Sequence, residues 1–153
     1  MGLEIISGVS HLDHGLTTAV IEHIRELFAG KDGFFIETVT LPPELGQVEC
    51  ALHFDVPETD VFYARRGPRT GDSRMCRLPS RMVSEVSVIA GPTTVNGEAK
   101  ACVLYTAFGG PVAPREPFDS YFGGELDDAK ATELNAAKAF WAKAALSASA
   151  FGL

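Results

Sequence analysis

The stretch MVSEVSVIAGPTTVNGEAKACVLYTAF, Met82 to Phe108, decides the fold class. Met82–Ala90 and Ala99–Phe108 read as the two clearest strands of the chain, rich in β-branched and aromatic residues. Between them stands Val95-Asn96-Gly97-Glu98. Asn-Gly is the dipeptide that reverses a hairpin, because both central residues of the tight turn need positive φ. The second strand is apolar on both faces, with Cys102, Leu104 and Phe108 against Val103, Tyr105 and Ala107. That pattern predicts a central strand covered on both sides.

Working upstream, Val61–Arg66 reads as a strand with Val61, Tyr63 and Arg65 on one face, closed by Gly67-Pro68. The following residues, up to about Arg81, then read as a loop. Gln47–Phe54 alternates, with Val48, Cys50, Leu52 and Phe54 to one side, and Phe34–Leu41 is a strand ended by Pro42-Pro43. A helix starts near Thr17, a suitable cap, with Leu16 positioned to staple onto Ile21. Val20, Ile24, Leu27 and Phe28 give it an apolar stripe, and Gly30 ends it. Leu3–Ile6 reads as a short first strand. Downstream, Gly109–Asp128 is a loop holding Pro111, Pro114 and Pro117, long enough to suggest a functional segment. A last helix begins at Asp127-Asp128, with Leu134, Ala137, Trp141, Ala144 and Ala148 as its stripe. The predicted class is α+β: a mostly antiparallel sheet of about five or six strands, an N-terminal-region helix and a C-terminal helix, both packed on one sheet.

Composition sets the frame for function. The 153 residues are 46% apolar and 22% charged, which predicts one soluble globular domain, 1–153. A net charge of −7 argues against nucleic acid and anionic membranes as partners. Cys50, Cys76 and Cys102 form no disulfide framework, and no signal or membrane-spanning pattern is present, so the expected location is cytoplasmic. Nothing in the chain calls for a cofactor.

Against this acidic background, six arginines fall between Arg65 and Arg81: Arg65, Arg66, Arg69, Arg74, Arg77 and Arg81. Two like charges about 8 Å apart repel by roughly 2 kcal/mol at an effective dielectric near 20, so such a cluster needs acidic partners or a bound anion. Surface pairing with Glu58, Asp60 and Glu85 is the plain reading for any one of them. For the group, arginine without lysine points to bidentate recognition of phosphate or carboxylate. Arg65 shares a face with Tyr63, which makes it the preferred strand candidate, followed by Arg74, Arg77 and Arg81. Tyr105, Thr106 and Arg115 join them, the first two at a strand end and the last fixed between Pro114 and Pro117.

Ser10-His11-Leu12-Asp13-His14-Gly15 supplies His11 and His14 as candidate acid/base groups. The segment is similar to a truncated metallo-β-lactamase motif, His-x-His-x-Asp-His, but Val9 replaces its first histidine and the family is excluded. Two histidines and one carboxylate are a weak metal signal, so no metal is assigned. Cys76, beside Arg77, is a minority candidate for a reactive thiol. Phosphate-loop, dinucleotide, zinc-finger and hydrolase motifs are absent.

The leading expectation is therefore an arginine-lined site for a small anion. A second is a metal-independent phosphodiesterase or ribonuclease with histidine acid/base chemistry. Residue types and their order (His14 or His23, Arg65, Thr106) faintly resemble barnase-like toxins, without a diagnostic motif. A third is an interaction module whose arginine loop docks onto an acidic protein surface.

Overall fold

Thr17 opens the first helix as expected: its side chain accepts the Val20 N–H at 3.3 Å, satisfying an amide that a helix start leaves unpaired. This α1 (Thr18–Leu27) buries Val20, Ile21 and Ile24. The structure, a computed structural model, describes residues 2–12, 14–68 and 70–153.

α1 packs on a three-stranded antiparallel sheet. Its strands are β1 (Phe35–Thr40), β7 (Glu85–Val95) and β8 (Glu98–Gly109), in the order β1-β7-β8. The β7–β8 hairpin turns at Asn96, φ 51°, and Gly97, φ 79°, as the Asn-Gly pair predicts. One core joins Val20, Ile24 and Phe28 of the helical segment to Phe35, Val88, Ala90, Leu104 and Ala107 of the sheet. The central strand is β7, not β8. The outer edge of β8 is met by three single parallel bridges, Glu4↔Val103, His11↔Thr106 and Cys50↔Gly109. Leu3–Ile6 therefore contributes one bridge rather than a strand. The same arrangement lays His11 directly beside Thr106.

Gln47–Phe54 is not one strand. β2 (Val48–Glu49) pairs with β6 (Met82–Val83), while β3 (Leu52–His53) joins another sheet. Alternation fails at Cys50, Ala51 and Leu52, which are all buried, because the chain changes sheets there. Ala51 ties the sheets together: its N–H donates to Gly109 O at 2.9 Å and its carbonyl accepts from Ser147 N–H at 2.9 Å.

The remaining sheet is four-stranded and includes β4 (Val61–Arg65), β5 (Asp72–Cys76) and β9 (Ala145–Ser147), in the order β3-β9-β5-β4. Two sequence expectations are corrected here. The arginine segment is not one loop, because Ser73–Cys76 of β5 are buried and pair with β4. The C-terminal helix α2 (Asp128–Trp141), capped by Asp127, stops at Trp141. Ala144 and Ala148 are buried but lie beyond it, and the chain returns as β9 between β3 and β5. Alanine favours helix in isolation; here small side chains let a short strand fit between two others. α2 packs on this sheet through Ala137 and Trp141, which join Leu52, Met75 and Leu146 in a second core. Each helix thus has its own sheet, rather than both sharing one.

Candidate functional site

The two sheets leave a cleft of about 680 Å³ between them. Thr106, Phe108 and Ile89 come from the α1 sheet, Leu52 and Leu146 from the other, and residues 112–116 and Phe151 close the sides. His11 and His14 stand on its wall.

His14 is only 4% exposed. Its Nδ1 lies 3.1 Å from the carbonyl oxygen of Ala150, which can only accept, so Nδ1 carries a hydrogen. Its Nε2 faces both Thr106 Oγ1 at 3.0 Å and His11 Nδ1 at 2.9 Å. A neutral His14 accepts there from the threonine hydroxyl or from His11. A His14 that has taken a second proton donates there instead. The three atoms therefore form a relay in which a proton can pass between the buried imidazole and the exposed one. His11 is placed by its bridge to Thr106, with its N–H donating to Tyr105 O at 2.8 Å.

The residues that hold Ala150 are themselves fixed. Ser149 donates to Glu49 Oε1 at 2.6 Å, and Ser80 donates to the same oxygen. Ser149, then Ser80, hold the Glu49 carboxyl below its usual value of 4.5. Phe151 sets its ring edge-on to His14, with centroids 5.0 Å apart, and its ring also lies 5.0 Å from the Arg66 guanidinium.

Arg66 brings charge to the same cleft. It pairs with Glu116 and donates from Nε to Ser73 Oγ at 2.9 Å, while Ser73 donates to Glu116 Oε2 at 2.7 Å. Burial pushes the guanidinium below its ordinary value. Arg115 packs over Tyr121 at 4.3 Å and reaches Asp119 at 3.9 Å. Among the described residues, both guanidiniums in the lining thus face a carboxylate, and a bound anion would exchange with Glu116 or Asp119 for these donors.

Of the residues singled out from sequence, His11, His14, Tyr105, Thr106 and Arg115 line this cleft. The others do not. Arg65 points to solvent and pairs with Asp72 at 3.7 Å. Tyr63 is 64% exposed, and with Arg74 borders a separate hollow of about 370 Å³. Arg74 is buried among backbone carbonyls. Arg77 lies over the Phe62 ring at 4.3 Å, and Arg81 donates to Cys50 Sγ at 3.2 Å. Arg69 and Asp13 lie outside the described residues. Cys76 is buried, and burial pushes its thiol up, which removes the reactive-thiol reading.

Sequence reasoning left Arg66, Glu116, Ser73 and Phe151 out of the candidate site, although Glu116 stood beside Arg115 as a pair able to contact a ligand. On β4 the packed face is Phe62 and Ala64, which lie against the second core. Arg66 continues that face into the cleft, while Tyr63 and Arg65 share the solvent side. Glu116, fixed next to Arg115 before Pro117, was the one visible signal. Among the described residues, no group of three or more His, Cys, Asp or Glu is placed to hold a metal ion. Among the same residues, no helix is long and apolar enough to cross a membrane. Compared with protein-family models, curated proteins and solved structures, the chain finds no match.

Proposed function

We propose that this cleft binds a small phosphate- or carboxylate-bearing ligand and that His11, backed by His14, exchanges a proton with it. The observation that carries the reading is the contact of His11 Nδ1, His14 Nε2 and Thr106 Oγ1 on the wall that Arg66 and Arg115 share. In this reading Arg66 and Arg115 hold the anion and stabilise charge that develops in the transition state. His14 keeps the ring of His11 oriented and exchanges a proton with His11 Nδ1, while the Thr106 hydroxyl holds the His14 ring by a hydrogen bond. Metal-independent phosphodiester cleavage is the reaction class that fits an exposed imidazole beside guanidiniums.

Two measurements test this. Thermal unfolding with phosphate, sulfate and citrate should show stabilisation of roughly 2.7 kcal/mol at about 100 times the dissociation constant. No shift with any of them ends the anion site. Phosphodiester hydrolysis, followed in chelator on RNA, should fall by about 10²–10⁴ in His11→Ala if the imidazole is the acid/base. Intact RNA with the parent protein ends the catalytic half and leaves binding.

A second reading rests on Arg65 and Arg77, which stay exposed on the surface away from the cleft. They would dock onto an acidic protein surface. Polyglutamate should then bind the parent and not a protein carrying Arg65→Glu with Arg77→Glu; equal binding by both removes this reading.

A further inference from the structure

We infer that the ligand of this cleft carries a flat aromatic ring beside its phosphate, as a nucleotide does, and that the ring lies on a shelf made by Tyr105, Gly91 and Phe34. This rests on the anion-site reading above and extends it to a substrate class.

The shelf is the second face of the α1 sheet. Ile36, Ile89 and Thr106 stand directly opposite one another across β1, β7 and β8, so their side chains share a face. The opposite face carries Phe35, Val88 and Ala107 into the α1 core. Neighbouring strands lie about 4.8 Å apart, so the row runs from Thr106, at His14, to the β1 edge within about 10 Å. Along it the surface opens: Ile89 lines the cleft, Ile36 is 48% exposed and Phe34 is 63% exposed.

Gly91 shows how closely two rings approach this surface. A Cβ at that position would lie 2.7 Å from Tyr105 Oη and 3.1 Å from Phe34 Cδ2, so a larger residue there would push the rings aside. Tyr105 Oη donates to the Pro92 carbonyl, which fixes its ring by a backbone bond rather than by burial in the core. The two rings therefore stand at one end of a face whose other end meets His11, His14 and Thr106.

One ligand chemistry matches both ends. Proteins hold unpaired bases by stacking them on aromatic side chains, which every base permits because every base has a π-face. The phosphate then reaches toward Arg66 and Arg115. A sugar could cover the rings but would leave the guanidiniums unused, and an inorganic anion would leave the rings unused. The source is a free nucleotide or a nucleotide within a single strand, and the net charge of −7 favours the smaller ligand.

Calorimetric titration with adenosine, ribose 5-phosphate, adenosine 5′-monophosphate and a tetra-adenylate tests the inference. The monophosphate should bind at least tenfold more tightly than ribose 5-phosphate. Phe34→Ala, a change at an exposed side chain, should remove most of that difference and leave ribose 5-phosphate affinity unchanged. Equal binding of the two phosphates by the parent overturns the shelf while the anion site stands. Binding of adenosine with no gain from its phosphate, and none of ribose 5-phosphate, overturns the phosphate half and the nucleotide with it. No binding of any of the four overturns both. Given a gain for the monophosphate, a tetra-adenylate that binds more tightly still identifies a strand as the source, and equal affinity identifies the free nucleotide.

Discussion

Arg74 donates from Nε to Ala144 O at 3.0 Å and from one terminal nitrogen to Val56 O at 3.4 Å and Glu58 Oε1 at 2.7 Å. Two of these acceptors are backbone carbonyls, so the guanidinium acts as a strut beside β9. Arg74→Ala should cost about 2–4 kcal/mol, from unsatisfied carbonyls and a void, measured by urea unfolding. Arg65→Ala, at an exposed ion pair, should stay within about 0.5 kcal/mol. Equal costs would contradict the two roles. Sequence could not separate these arginines, because charge and spacing are the same for a strut and a solvated side chain. His53 gives a second test at this scale. Burial, then the Arg81 charge, holds its pKa below the ordinary 6.5, with Glu49 opposing, and its Nε2 has no hydrogen-bond partner among the described residues. A lowered folded value means that the unfolded chain takes the proton first. Stability should therefore decline as pH falls through 6.5 and level off below the folded value. Unfolding midpoints of His53→Phe between pH 7.5 and 5 should show a flatter decline than the parent. Parallel curves would remove His53 as the cause.

At the scale of elements, the joint between the sheets is where small residues matter most. Gly109 ends β8, and a Cβ there would run into the Glu49 carbonyl oxygen, which is backbone and cannot rotate away. Gly110, at φ 94°, is equally confined, since a Cβ there would lie 2.6 Å from Cys50 Sγ. Gly109→Ala should destabilise by about 3 kcal/mol, the upper end for overpacking, because backbone must shift. If the cleft binds an anion as proposed, the same variant should weaken that binding, since Ala51 donates to Gly109 O and accepts from β9. A variant with parental urea midpoint would show that the joint yields easily. The elements fall into two groups by how visible they were in sequence. The β7–β8 hairpin and α1 were legible because local signals set them: Asn96-Gly97, the Thr17 cap and the Val20, Ile24, Phe28 stripe. β5 and β9 were not. Arginines hid the first, since Arg74 is accommodated inside through carbonyls and a carboxylate that are distant in sequence. Alanines hid the second, since Ala145–Ser147 becomes a strand only between Leu52–His53 and Met75–Cys76.

At the scale of the whole molecule, the α+β class was legible because it follows from the order of periodic segments. The division into two layers was not, because it depends on where the chain changes sheets. His11 and His14 were visible as residue types, yet their convergence with Thr106 came from a bridge that no pattern announced. The two cores should nevertheless unfold together. Ala51 N–H donates to Gly109 O at 2.9 Å, Ala51 O accepts from Ser147 N–H at 2.9 Å, and Val83 packs against both cores. Gly109 and Ala51 are buried, so opening either core alone would strip a partner from a buried backbone group and uncover Val83, which favours one cooperative transition. Trp141, the one tryptophan, belongs to the α2 core, so its fluorescence reports that core alone. Leu104, fully buried, belongs to the α1 core. Leu104→Ala should cost about 2–5 kcal/mol. In a single cooperative unit, this change must shift the Trp141 fluorescence midpoint by as much as the far-ultraviolet dichroism midpoint. A fluorescence midpoint that stays at the parental value while dichroism shifts would show two independently folding halves, and the cleft would then lie between them rather than within one unit.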